Sequence, residues 1–111
     1  MRDVLNEPRL NALATTLSKA DFAEVLDAVF ADIDRIRENL EAPIDAQGAT
    51  GRQLAHKLVG LSGQFSLGSL EEASRAMLAQ KSDLSPADRK ALVAEIAKAI
   101  PALERYRSRR G

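Results

Sequence analysis

The amino-acid pattern predicts an all-α fold: an antiparallel up-and-down four-helix bundle with a short additional N-terminal helix, formed as a single domain over residues 1–111. Two observations carry this expectation. Apolar residues recur at intervals of three and four along four long segments, the spacing that gathers them on one helical face. Between those segments stand capping residues, prolines and glycines in the order that starts and stops helices, and no stretch shows the alternation of a strand.

Asn6-Glu7-Pro8 sets a capping side chain and a first-turn proline ahead of Leu10, Leu13 and Leu17, which predicts a short first helix. Ser18-Lys19-Ala20-Asp21 resembles a capping box with Asp in place of Glu. Phe22, Val25, Leu26, Val29, Ile33, Ile36 and Leu40 follow it on one face. Ala42-Pro43 ends this second helix, because proline pushes the residue before it out of the helical region. A loop is expected from Ile44 to Gly51, with Gly48 inside it.

The third helix carries Leu54, Leu58, Leu61 and Phe65 as its apolar stripe. Gly68 separates it from a fourth, where Ser69-Leu70-Glu71-Glu72 reads as a capping box leading into Leu70, Ala73 and Met77. Ser85-Pro86-Ala87-Asp88 opens the fifth helix with an N-cap and a proline at the first helical position. Its core face is Leu92, Ile96, Ile100 and Leu103, and Pro101 within it is expected to kink the helix or open its hydrogen-bond ladder. Long amphipathic helices with short connections pack most simply as the antiparallel bundle, with the first helix as a lid.

Composition removes several functions. Hydrophobic residues at 45% and charged residues at 29% describe an ordered chain rather than a disordered one. Sixteen basic and sixteen acidic side chains cancel, so nothing general favours nucleic acid or an anionic membrane. Without cysteine there is no disulfide or thiolate chemistry, and one histidine makes a zinc site implausible, so no metal is expected. No nucleophile elbow or Gly-rich phosphate loop is present. Scarce aromatics argue against base stacking. The N-terminus lacks the apolar run of a signal peptide and no later run is long enough to span a bilayer, so a cytoplasmic location without membrane contact is expected.

The single histidine, His56, lies on the third helix. A lone histidine is ordinarily a core or rim residue, but its position argues otherwise. At about 100° per residue, with Leu58 at zero, the apolar stripe centres near about −30° and His56 falls near about 160°. Gly60 and Gly63 lie within about 40° of His56, and Arg52 and Gln53 extend the stripe one turn earlier. Each helical glycine costs about 0.8–1 kcal/mol relative to alanine. The bland explanation is close helix packing; the sharper one is clearance for a partner approaching the imidazole. Neutral imidazole is nucleophilic near neutral pH, and a phosphoryl group on it would be held by nearby cations. Arg52 is the best placed, and Lys57 reaches with its long stem.

Ala55-His56-Lys57-Leu58-Val59-Gly60-Leu61-Ser62-Gly63-Gln64-Phe65 resembles the signature of histidine-containing phosphotransfer (HPt) domains of bacterial multistep phosphorelays. Arg75 and Leu78, after Leu70, are consistent with the helix that follows in that family. The resemblance implies a phosphocarrier rather than an enzyme, with His56 as phosphoryl acceptor and Arg52 and Lys57 as phosphate neighbours. It implies docking of a receiver domain, from a response regulator or hybrid histidine kinase, on Gln53, Val59, Gly60, Gly63 and Gln64. It implies no cofactor of its own, with Mg²⁺ on the partner receiver, and a monomer as the carrier. Two departures stand out: Val59 replaces the family's usual lysine three residues after the histidine, and Ser66 a common glycine.

Besides a purely structural bundle, for which the outward His-Gly-Gly stripe has no use, two alternatives remain open on sequence. One is a degenerate HPt fold that binds a receiver or kinase without accepting phosphate, motivated by Val59. The other is nucleic-acid or acidic-partner binding through Arg105-Tyr106-Arg107-Ser108-Arg109-Arg110, for which the plain reading is a basic helix end that suits the macrodipole. Asp27, Asp32, Asp34 and Glu38 read as a solvated polar face of the second helix rather than a metal site.

Overall fold

The computed structural model describes residues 2–43 and 50–110, so most of the loop expected from Ile44 to Gly51 lies outside the described residues. The described residues form five helices and no strand: α1 (Glu7–Thr15), α2 (Lys19–Glu41), α3 (Gly51–Gln64), α4 (Gly68–Leu78) and α5 (Pro86–Arg110). Gly51 is therefore the first residue of α3 rather than part of the loop. A Cβ there would stand 2.9 Å from the Leu84 Cβ, a close approach that only glycine permits.

The caps follow the sequence at most helix starts. Asn6 Oδ1 accepts from the Arg9 amide at 3.2 Å, and Ser18 Oγ from the Asp21 amide at 3.1 Å. Ser85 and Asp88 cap reciprocally, at 3.0 and 3.1 Å. α2 ends as expected, where Ala42 turns extended before Pro43. One expectation is corrected. Ser69-Leu70-Glu71-Glu72 forms no capping box: α4 starts earlier, with Leu67 at the N-cap and no side-chain cap. The Ser69 amide is met instead by the Asp3 carbonyl at 2.9 Å, a donor–acceptor pair far apart in sequence and so invisible to local pattern. α5 continues through Pro101, where its hydrogen-bond ladder is locally open as expected, because proline has no N–H to give. Both Pro101 and Ala97, whose carbonyl loses the proline's missing N–H, are exposed, so water can meet that carbonyl.

The apolar faces converge on one core. Leu10, Leu26, Ile33, Leu54, Leu58, Leu70, Leu92 and Ile96 are completely buried. Each such burial contributes about 1.5–3 kcal/mol, enough to outweigh Gly60 and Gly63 in the interior of α3. α3 packs most extensively on α4, α2 on both α3 and α5, and α4 on α5, so the four longer helices touch in a closed cycle. Arginines tie the start of one helix to the end of another. From the first turn of α5, buried Arg89 donates to the carbonyls of Asn39 and Leu40 at the end of α2, at 3.4 and 3.3 Å.

The α3–α4 turn is tied to the N-terminal segment, where the Asn6 amide donates to the Ser66 carbonyl at 2.8 Å. Ser66 itself is buried with φ 61, a left-handed conformation that costs an L-residue about 1–2 kcal/mol. Part of that returns through the greater unfolded-state freedom of glycine. Ser66→Gly is therefore expected to raise stability by about 0.5–1 kcal/mol, and Ser66→Val to lower it. Denaturant midpoints check both, and an unchanged or lower midpoint for the glycine variant contradicts the account.

Candidate functional site

His56 stands in the second turn of α3, whose start is fixed by a cap the sequence reading missed. Thr50 Oγ1 accepts from the Gln53 amide at 3.1 Å while Gln53 Oε1 accepts from the Thr50 amide at 2.7 Å, a complete capping box. The signal was present as Thr50-Gly51-Arg52-Gln53. Asp83 adds a cap from outside the helix: its Oδ1 accepts from the Arg52 amide at 3.0 Å as well as from Leu84 at 2.9 Å. No local pattern announces that contact.

The buried residues of α3 are Gly51, Leu54, Ala55, Leu58 and Ser62, continuing into Phe65. This face is centred about 40° further round the helix than the apolar stripe alone implies, toward Ala55 and Ser62. Ser62 can be buried because its hydroxyl donates to the Leu58 carbonyl of its own helix. Ser74 on α4 is buried in the same way, donating to the Leu70 carbonyl at 2.8 Å.

His56 remains nearly opposite this face and is exposed. Gln53, Lys57, Gly60 and Gln64 are exposed with it, whereas Val59 and Gly63 are half-buried. The two glycines differ in kind. A Cβ on Gly60 would meet nothing within 4 Å, so the surface beside the imidazole is open there. A Cβ on Gly63 would stand 3.2 Å from Glu71 Oε2, so Gly63 serves close packing against α4 rather than clearance.

The rotation also moves Arg52. Its guanidinium donates to the carbonyls of Leu78 at 3.2 Å and Ser82 at 3.3 Å, and to that of Gln80, closing the C-terminal end of α4. Arg52 is thereby drawn off the His56 face that the sequence assigned to it. Lys57 is exposed and forms no ion pair among the described residues.

Against Gly63, about two helical turns along α3 from His56, lies a charge cluster absent from the sequence reading. Glu71 is buried, and its Oε1 accepts from Arg2 at 2.6 Å while its Oε2 accepts from Arg75 at 2.9 Å. The Arg75 bond, with help from Arg2 and against the cost of burial, holds the Glu71 carboxyl below the usual carboxylate range. Glu71 four residues before Arg75 is a legible helical ion pair; its burial against Gly63 is not legible.

The basic C-terminal segment is docked on its own chain. Arg107 pairs with Asp27 at 2.6 Å and lies 4.8 Å over the Phe30 ring; Arg109 pairs with Glu7 at 3.1 Å. Buried Tyr106 donates to Asn11 at 2.5 Å. Asp27 and Asp34 are likewise engaged by arginines. Among the described residues no group of three or more His, Cys, Asp or Glu is placed to hold a metal ion, and no helix is long and apolar enough to cross a membrane.

Compared with protein-family models, curated proteins and solved structures, the chain finds no match.

The amides of Leu84 and Arg52 likewise hold the Asp83 carboxyl below its ordinary range. Glu71 and Asp83 are thus more acidic folded than unfolded. Their contribution to stability is full above the ordinary carboxylate range and is lost as pH falls through it toward the depressed values. Denaturant midpoints are expected to drop in that acid window, and Glu71→Gln with Asp83→Asn to flatten the drop. An equally steep fall in the double variant contradicts this assignment.

Proposed function

We propose that the protein is a phosphocarrier of a bacterial multistep phosphorelay, accepting a phosphoryl group on His56 from a receiver-domain aspartate and passing it to another receiver. The placement of His56 supports this most: the one imidazole of the chain is exposed, opposite the buried face of α3, with open space at Gly60 beside it. A purely structural bundle has no use for a helical glycine that touches nothing. The closed cycle of α2 to α5 is read as an antiparallel four-helix bundle of the HPt kind, with α1 as its lid.

The chemistry needs little from the carrier. The lone pair of one imidazole nitrogen forms a P–N bond as the P–O bond to the aspartyl carboxylate breaks, and the carboxylate leaves with that electron pair. Mg²⁺ and most transition-state stabilisation come from the receiver, so the carrier is not an enzyme and has no cofactor of its own. Gln53, Gly60 and Gln64 provide the docking surface, with Val59 and Gly63 at its edge, in a monomeric cytoplasmic protein. The intramolecular pairing of Arg107 and Arg109 disfavours nucleic-acid binding by the C-terminal segment.

Incubation with phosphorylated receivers is expected to place acid-labile label on the wild type and none on His56→Gln. Gly60→Ala is expected to raise stability by about 0.8–1 kcal/mol, and Gly60→Gln to slow transfer by obstructing the receiver. Receiver binding without label on His56, for every receiver tried, favours the binding-only HPt-like protein instead.

A further inference from the structure

We propose that Arg75, from α4, supplies the phosphoryl-binding cation that Val59 leaves out, exchanging its bond to Glu71 for the phosphoryl group on His56; this rests on the reading of His56 as the acceptor. The register of the antiparallel α3–α4 pair is fixed at two points. Arg52 reaches the Leu78 carbonyl at 3.2 Å, and Glu71 Oε2 overlies Gly63, 3.2 Å from the position of its Cβ. Between these points Arg75 stands level with the stretch from His56 to Val59. Glu71, Arg75 and Leu78, spaced by four and three, form one row on α4. That row borders the side of α3 that carries Arg52, Val59 and Gly63, next to His56.

The guanidinium is held at the Gly63 end of this border, from which it would swing toward His56. Arg75 donates through Nε and a terminal nitrogen, at 3.1 and 2.9 Å, to Glu71 Oε2, the same oxygen that lies against Gly63. Its side chain is 62% exposed, whereas that of Glu71 is 10% exposed, so the arginine is the partner free to move. Glu71 has a second cation in Arg2, bonded to its other oxygen at 2.6 Å. Departure of Arg75 therefore leaves the buried carboxylate paired rather than stranded. A phosphoryl group carries more charge than a carboxylate and accepts a bidentate guanidinium, so phosphorylation of His56 favours the exchange. Arg52 is not available for this role, being held by the end of α4.

The test separates this inference from the function it rests on. With phosphoramidate as a small donor, an imidazole nitrogen forms the new P–N bond as the old one breaks and ammonia leaves, so no receiver contact enters. Arg75→Ala is expected to slow labelling of His56, and to shorten phosphohistidine lifetime, by about tenfold. Arg75→Lys, and Val59→Lys added to Arg75→Ala, are expected to restore much of both. Because Arg75→Ala also gives up its bonds to Glu71, a lower melting temperature is expected. Labelling is therefore compared well below it, where rescue by Val59→Lys in the Arg75→Ala background shows that the loss is not one of folding. Normal labelling and lifetime in Arg75→Ala overturn the role of Arg75 while leaving His56 as acceptor. Wild type that takes no label from phosphoramidate or from any receiver overturns both.

Discussion

The seam between α3 and α4 sets the rotation of α3 about its own axis, and everything proposed for His56 depends on that rotation. The helices that form the seam bury the small residues Ala55, Ser62 and Ser74, with both hydroxyls satisfied inside their own helices. Two polar ties hold the seam at its ends: Arg52 on the last carbonyls of α4, and Glu71 against Gly63. Turned this way, α3 sends Leu54 and Leu58 into the core and leaves His56 outside. A turn of about 100°, one residue of helix, would carry the imidazole into a neighbouring helix or the core.

Charge is used locally to finish helices. α2 has no basic residue in its last turn and the Arg75 of α4's last turn is bonded to Glu71, so each helix has carbonyls at its end that would otherwise lack donors. Arg89 closes α2 and Arg52 closes α4, each reaching from the first turn of a helix packed alongside. Arg107 and Arg109 tie the end of α5 back to α2 and α1. A chain of zero net charge thus spends many of its arginines internally. Arg75 differs: it is the more exposed of two cations on one carboxylate, which makes it the movable member of the cluster.

Much of the fold was legible because it rests on local rules. The period of α2, the Ala42-Pro43 stop and the Ser85-Asp88 cap all follow from residues within a turn or two of each other. What escaped was decided by distant partners. Asp3 and not Ser69 meets the start of α4, Asp83 helps to cap α3, and the α4 carbonyls take Arg52. For the site, the outward direction of His56 and the position of Gly60 survived because each lies far from the buried face. Arg52 and Gly63 lie on its rim, where a shift of about 40° reassigns a side chain. A purely apolar count cannot detect that shift, since Ala55 and Ser62 carry weak hydrophobic signals and are buried by packing. Ser66 links the two levels, its positive φ giving a physical reason to expect glycine there.

The most direct measurement uses the fact that the chain has one histidine. With the imidazole nitrogens labelled with ¹⁵N, the protein is incubated with a phosphorylated receiver and observed by NMR at neutral pH. The account predicts that one ring-nitrogen signal moves and splits through coupling to phosphorus, reverting when an unphosphorylated receiver is added. Imidazole signals that stay unsplit while receivers lose their phosphate to water, or phosphate found on another residue, would contradict it.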